Sequence, residues 1–290
     1  MRCDCHVHVF MDGLNYREAS MRHRNGVDES VIRSHFEQYQ KHQITWLRDG
    51  GDALFVSLRA RALAPEYGIT YRTPVFAIHK NGHYGSIVGR GFDTMKEYAQ
   101  LVREVRMLGG DFIKIMTTGI MDFNCAGKIT GQALSCDEVK EMVHIAHEEG
   151  FAVMSHTNGA DAVRTAVLCG VDSIEHGNYQ DADSLAALAE SHTVWVPTLV
   201  TVQNLSGKGR FLEETVHEII RTQTETLQMA FEKGVQMGTG TDAGAWMVMH
   251  GESLDQEYAA FYEILGNSDA VRKRLQDGNL HICEKFRILG

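Results

Sequence analysis

Two histidines one residue apart stand near the start of the chain, in Cys5-His6-Val7-His8, at the end of an extended apolar stretch. On a β-strand alternate side chains share a face, so His6 and His8 project together while Val7 points away, and two imidazoles on one face are half of a zinc site. Such a pair is weak by itself, because a strand-end histidine is equally well served by a backbone hydrogen bond. Its weight comes from four later segments that carry further ligand types. These are Lys114 within residues 112–119, His156 after Val153-Met154-Ser155, His176 in Ile174-Glu175-His176-Gly177, and Asp242 in Gly240-Thr241-Asp242-Ala243-Gly244. Each has a plainer explanation: a lysine snorkelling to solvent, a satisfied histidine, an aspartate capping a turn. Recurrence at successive strand ends favours metal ligation, and with it metal-assisted hydrolysis.

Positioning these residues requires strands at regular intervals. After the opening strand, residues 44–48, 75–78, 112–116, 152–155, 171–174, 193–196 and 235–238 read as strands. Residues 29–42, 53–61, 94–108, 135–149, 160–169, 181–191 and 213–233 read as helices, several opened by Ser, Asp or Thr and closed by Gly. Strands alternating with helices imply a parallel sheet with right-handed crossovers. No G-x-G-x-x-G follows a strand, which disfavours an open dinucleotide-binding sheet. From His8 to Asp242 the candidate ligands advance by roughly 33 residues per step, the length of one β/α unit. The expected fold is an α/β (β/α)8 TIM barrel, in which the first and eighth strands lie side by side and bring His6 and His8 to Asp242.

The 290 residues carry 43% hydrophobic content, enough for one large core, and no linker or low-complexity run divides them. A single domain over residues 1–290 is expected. A formal charge of −10 without a basic stripe argues against nucleic acid or an anionic membrane as partner and leaves a small-molecule substrate. No basic-then-apolar leader and no run of ~18 apolar residues occurs, so a cytoplasmic location is expected. Cys3, Cys5, Cys125, Cys136, Cys169 and Cys283 show no C-x-x-C or framework spacing and read as free thiols. Cys3 and Cys5 fall on the strand face opposite the histidines and read as small packing residues.

The set His6-Val7-His8, Lys114, His156, His176 and Asp242, in that order at strand ends, resembles the amidohydrolase superfamily. More narrowly it is similar to the branch holding imidazolonepropionase-like enzymes and prolidase-type zinc dipeptidases. Residues 44–51 match that branch's second-strand segment, Val196-Pro197-Thr198-Leu199 its seventh, and His250-Gly251 the His-Gly that often follows strand 8. Asn81-Gly82-His83-Tyr84-Gly85 looks like a variant of its Gly-Gly-His-Gly loop, a departure that bears on the dipeptidase assignment. The resemblance covers residues 1 to about 265. It implies two divalent metals, most simply zinc, with His6, His8 and Asp242 on one, His156 and His176 on the other, and a CO2-derived carbamate on Lys114 bridging them. The same chemistry explains why a lysine faces the barrel interior between outward-facing Ile113 and Ile115, where an ammonium beside two cations would be repelled. A metal-bridging hydroxide would attack an amide carbonyl, with Asp242 and Lys114 as the catalytic groups and Asp242 moving the proton.

His83 and Tyr84 are the substrate-contact candidates implied by the resemblance, against the plainer reading of a polar surface loop. Arg48 reads as an ion-pair partner inside the barrel, and His79, Tyr179 and His250 are lesser rim candidates. His35, His42, His144, His147, His192 and His217 fall on expected helices, where solvent exposure explains nearly all. Relatives usually carry a β-sandwich beside the barrel. None is expected here, and residues 268–279 read as a closing helix, with a homo-oligomer as one way to cover the exposed face. Other readings are a mononuclear deaminase or cyclic-amide hydrolase of the same superfamily, a TatD-like nuclease (which typically has a glutamate where Lys114 stands), and a silent ligand-binding barrel.

Overall fold

The computed structural model describes residues 1–287 and contains nine strands among them, all pairing in parallel. They are β1 Cys3–Val7, β2 Trp46–Asp49, β3 Thr70–Arg72, β4 Ala77–Lys80, β5 Gly89–Phe92, β6 Ile113–Met116, β7 Val153–Thr157, β8 Ser173–His176 and β9 Val194–Val196. The helices are α1 Tyr16–Arg22, α2 Glu29–Lys41, α3 Val56–Leu63, α4 Met95–Met107, α5 Cys136–Glu148, α6 Ala160–Leu168, α7 Ala182–Ala189, α8 Val200–Gln203, α9 Glu213–Lys233, α10 Glu252–Leu265 and α11 Asp269–Lys285.

One ladder runs β1-β2-β3 and the other β5-β4-β6-β7-β8-β9. Individual backbone bonds join them into a barrel. On one side the Trp195 N–H donates to the Gln236 carbonyl and the Gly238 N–H to the Trp195 carbonyl, each at 2.9 Å. On the other, the Cys5 N–H donates to Thr239 at 2.9 Å, Asp242 to His6 at 2.7 Å and His8 to Ala243 at 2.7 Å. The expected eighth strand is therefore a segment of single bridges, squeezed between its neighbours: a Cβ on Gly240 would lie 2.6 Å from Val196 and 2.8 Å from the His6 nitrogen. The Asp4 carboxylate locks the seam, accepting from the Thr241 N–H at 2.9 Å and hydroxyl at 2.7 Å.

The strand expected at residues 75–78 begins only at Ala77, and a further strand that was not expected, β3, precedes it. Pro74 has no N–H to give a ladder and Val75 sits at φ +70, so β3 pairs with β2, the chain kinks, and β4 resumes against β6. β5, Gly-Arg-Gly-Phe, lacks strand propensity and was not expected; Gly89 suits it because a Cβ there would lie 2.0 Å from the Ala77 carbonyl oxygen.

Outward side chains such as Ile113, Ile115, Val153, Ile174 and Trp195 pack under α4 to α7 and α9. Inward ones form tiers. Trp46, Phe112, Met154, Val194 and Val196 fill the N-terminal end, where Phe286 meets Phe112 edge-on at 5.3 Å. Above them lies a tier of Arg48, Ser173 and Glu175, then the candidate ligands. Cys3 and Cys5 face α11, their sulfurs 3.6 Å from Cys283 Sγ and 3.5 Å from Asn279 Oδ1, and the six cysteines are all free.

Capping boxes start α4, α5 and α7 at Thr94, Ser135 and Asp181. At α5 the Glu138 carboxylate also pairs with Lys80 on β4, and these bonds hold its pKa down to about 2. A depressed carboxyl pKa stabilises the fold above the unfolded value and is lost as pH falls through the folded one. Glu138→Gln is expected to lower the melting temperature at pH 7, with the gap to wild type closing between about pH 4.5 and pH 2; calorimetry across that range is the check.

Candidate metal centre

The six ligand candidates meet at the C-terminal mouth of the barrel. His6, His8 and Asp242 each offer a ligand atom within 4.8 Å of the others, and both His Nε2 atoms lie 3.5 Å from Asp242 Oδ1. The His6 ring stands 5.1 Å from His176, and His176 stands 4.6 Å from His156. Lys114 rises between them, buried, its Nζ without a hydrogen-bond partner.

Strand alternation places most of these side chains. His176 is different, because it follows inward-facing Glu175 and would point to the helices on a regular strand. It adopts φ +66, and that left-handed turn aims both consecutive side chains into the barrel. Asp242 at φ +60 and Thr198 at φ +50 lie on the same rim. Clustered backbone strain of this kind marks functional mouths. His8 needs Gly50 beneath it, since a Cβ there would come within 2.3 Å of the ring.

Three of the four imidazoles have one nitrogen engaged by a fixed partner. His8 Nδ1 donates to the Gly51 carbonyl at 3.2 Å, and His156 Nε2 to the Gly119 carbonyl at 3.1 Å. His176 Nδ1 meets the Thr198 hydroxyl at 2.8 Å. His6 Nδ1 lies 2.9 Å from Glu175 Oε2, close to the carboxylate but without the alignment of a hydrogen bond. The remaining nitrogens, Nε2 of His6, His8 and His176 and Nδ1 of His156, keep lone pairs for a cation. Orientation of this kind by outer partners is what metal-binding imidazoles require. Burial, reinforced by the Lys114 charge, holds His8 and His156 down to about 3 and His6 well below its usual value, and His176 is lowered by burial and the neighbouring rings. Neutral imidazole is the ligating form. Burial pulls Lys114 down to about 8 and pushes the Asp242 carboxyl up to about 7.

A cavity of about 710 Å³ opens over these residues. Tyr84 lines it with its ring 5.1 Å from His156, whereas His83 turns away and meets the Gln132 carbonyl at 3.0 Å. His79 bonds its neighbour's carbonyl, and Tyr179 packs in an apolar cluster with Met121 and Val202. His250 sits behind the site, between the Tyr39 hydroxyl at 2.7 Å and the Met11 carbonyl at 2.8 Å. His35 is an exception to the exposure expected for nearly all the helical histidines: its ring stacks on His250 at 3.8 Å and its Nδ1 donates to the Val9 carbonyl, so it is partly buried.

The residue that sequence reasoning overlooked is Glu175. It contacts His6 with one oxygen and Arg48 with the other at 2.8 Å, with both partners wholly buried. Its signal was an acid on an apolar strand directly before a candidate ligand.

Residues 3–268 match the family profile described as the amidohydrolase family. The chain belongs to the amidohydrolase family. Uncharacterized proteins of Mycobacterium tuberculosis and Mycobacterium bovis are 33% identical to it over 136 residues, 45% of this chain and 36% of theirs. The match thus spans about a third of the length of those curated relatives. Among solved structures, a Xaa-Pro dipeptidase with methionine bound in its active site superposes with TM-score 0.77 at 23% identity, covering 98% of this chain and 75% of that one. An Aspergillus niger ochratoxinase gives 0.74 at 18%, covering 97% and 71%. These likenesses establish the TIM-barrel fold.

Glu175→Gln tests the outer support of the ligands. It leaves the Arg48 guanidinium buried without its anion, so urea denaturation is expected to show a loss of about 3–5 kcal/mol. Zinc affinity, read by competition with a chelating dye, is expected to fall about 10- to 100-fold.

Proposed function

We propose that the protein is a binuclear metal-dependent hydrolase of an amide-type C–N bond in a small molecule such as a dipeptide or an N-acyl amino acid. One observation carries this reading: five side chains able to ligate metal surround a buried lysine amine that has no partner of its own. His6, His8 and Asp242 would hold one cation and His156 and His176 the other, with Lys114 between them. Zinc suits this donor set of imidazole and carboxylate. When bound, two such cations supply a water acidified towards ~7 and polarise the scissile carbonyl.

The chain's own groups account for the rest. The neutral Lys114 amine adds to CO2, forming an N–C bond and releasing one proton. This turns an ammonium that cations would repel into a carboxylate that they attract. Asp242, on the cavity side of the cluster, takes the proton of the attacking water and delivers it to the departing amine as the C–N bond breaks. Burial keeps the Tyr84 hydroxyl protonated, which suits it to donate to the developing oxyanion beside His156. His83 has no part in this scheme.

The compact trio His6, His8 and Asp242 also supports a second reading, a mononuclear deaminase, which would leave Lys114 a free amine. Elemental analysis separates the two. Protein expressed with zinc and bicarbonate is expected to carry two metals per chain and to release amine from N-acyl amino acids. Lys114→Met is expected to carry at most one and to lose about 10²–10³-fold or more in kcat. One metal per chain with bicarbonate-independent ammonia release would favour the deaminase.

A further inference from the structure

We infer that the substrate is an N-acylated amino acid with a bulky apolar acyl group, whose carboxylate is received by Arg210 and Arg17 at the cavity mouth. This rests on the amide-hydrolase reading and narrows it. The volume of about 710 Å³ is that of a pocket for a drug-sized ligand, and much of its wall is apolar. Phe123, Phe211 and Trp246 come from three separate loops and build one face: Phe123 stacks on Phe211 at 4.5 Å and Phe211 meets Trp246 edge-on at 6.1 Å. Met11, Met116 and Leu205 also line the cavity.

The charges of the cavity are one-sided. Asp242 is the one carboxylate among the lining residues, and the metal-site reading commits it to a cation. No second carboxylate among the lining residues is left to pair with a free α-ammonium, so a dipeptide would bring its N-terminal charge there without an anionic partner. Acylation removes that charge. Arg210 stacks on Trp246 at 4.6 Å and on Phe211 at 5.3 Å, which occupies its flat face and leaves its N–H edges free. Among the described residues Arg210 has no carboxylate partner, and Arg17 bonds only the Tyr16 hydroxyl at 3.1 Å. A guanidinium held by an aromatic face and lacking an anion is suited to bidentate capture of a carboxylate. On a chain of formal charge −10, a cationic mouth also draws anions to this one place.

The test compares three amides on the zinc- and bicarbonate-loaded full chain: N-(2-naphthoyl)-L-alanine, its C-terminal carboxamide, and the dipeptide L-phenylalanyl-L-alanine. The acid is expected to exceed both others in kcat/KM by about tenfold or more. In Arg17→Gln/Arg210→Gln the acid-to-carboxamide ratio of kcat/KM is expected to fall towards one; Arg210→Lys, which keeps the charge and loses the fork, should fall between. Quenching of Trp246 fluorescence by the naphthoyl acid reports binding without turnover and should be lost in Trp246→Phe. Preference for the dipeptide, an unchanged ratio in the double variant, or no saturable quenching overturns the inference. Quenching that saturates with no amide hydrolysed would instead refute the hydrolase reading and leave the ligand assignment standing.

Discussion

A guanidinium removed entirely from water needs partners for its donors inside the fold, and Arg48 finds them across the barrel. It donates to the Cys5 carbonyl on β1 at 2.7 Å, to the Ser173 hydroxyl on β8 at 2.8 Å and to Glu175 on β8 at 2.8 Å. Three strands are thereby held in register from within, at the tier beneath the ligands. The other Glu175 oxygen lies 2.9 Å from His6 Nδ1, so the same ion pair that spans the barrel also borders the first candidate ligand. Buried pairs of this kind add little net stability but are costly to break. Their value here is positional: the floor of the site is set by a network that cannot relax without exposing a charge to the apolar interior.

Above that floor the backbone departs from regular strands. His176, Thr198 and Asp242 all hold positive φ, each at a cost of about 1–3 kcal/mol that the surrounding bonds must sustain. Asp242 is held by its N–H to His6, and His176 by Thr198 and by the Trp195 indole, which donates to its carbonyl at 2.9 Å. The strands thus fix the candidate ligands, and the segments beyond the strand ends form the cavity wall. Those segments supply the aromatic wall and Arg210, with Arg17 on α1, so under the proposed reading the chemistry and the choice of substrate would reside in separable parts of the chain.

Much of this was legible in the sequence, for physical reasons. His6, His8, Lys114 and His156 could be placed because strand alternation has a fixed period, and the helices because Thr94, Ser135 and Asp181 announce their starts. Asp242 followed from the repeat length. What could not be read were features without periodicity. The break at Pro74 separates β3 from β4, and β5 pairs through its glycines despite a sequence that suits a turn. Glu175 and His176 both face inward only because of one left-handed residue. His35 is partly covered by a partner 215 positions away, which no helical pattern reveals. The Phe123, Phe211 and Trp246 wall has the same origin, three loops meeting through tertiary contact alone.

The central claim is that Lys114 and its five neighbours form one two-metal site. The most direct measurement is anomalous diffraction from crystals grown with zinc and bicarbonate. Two zinc peaks are predicted, one at His6, His8 and Asp242 and one at His156 and His176, with additional density continuous with the Lys114 amine. A single peak beside a free lysine side chain would contradict it.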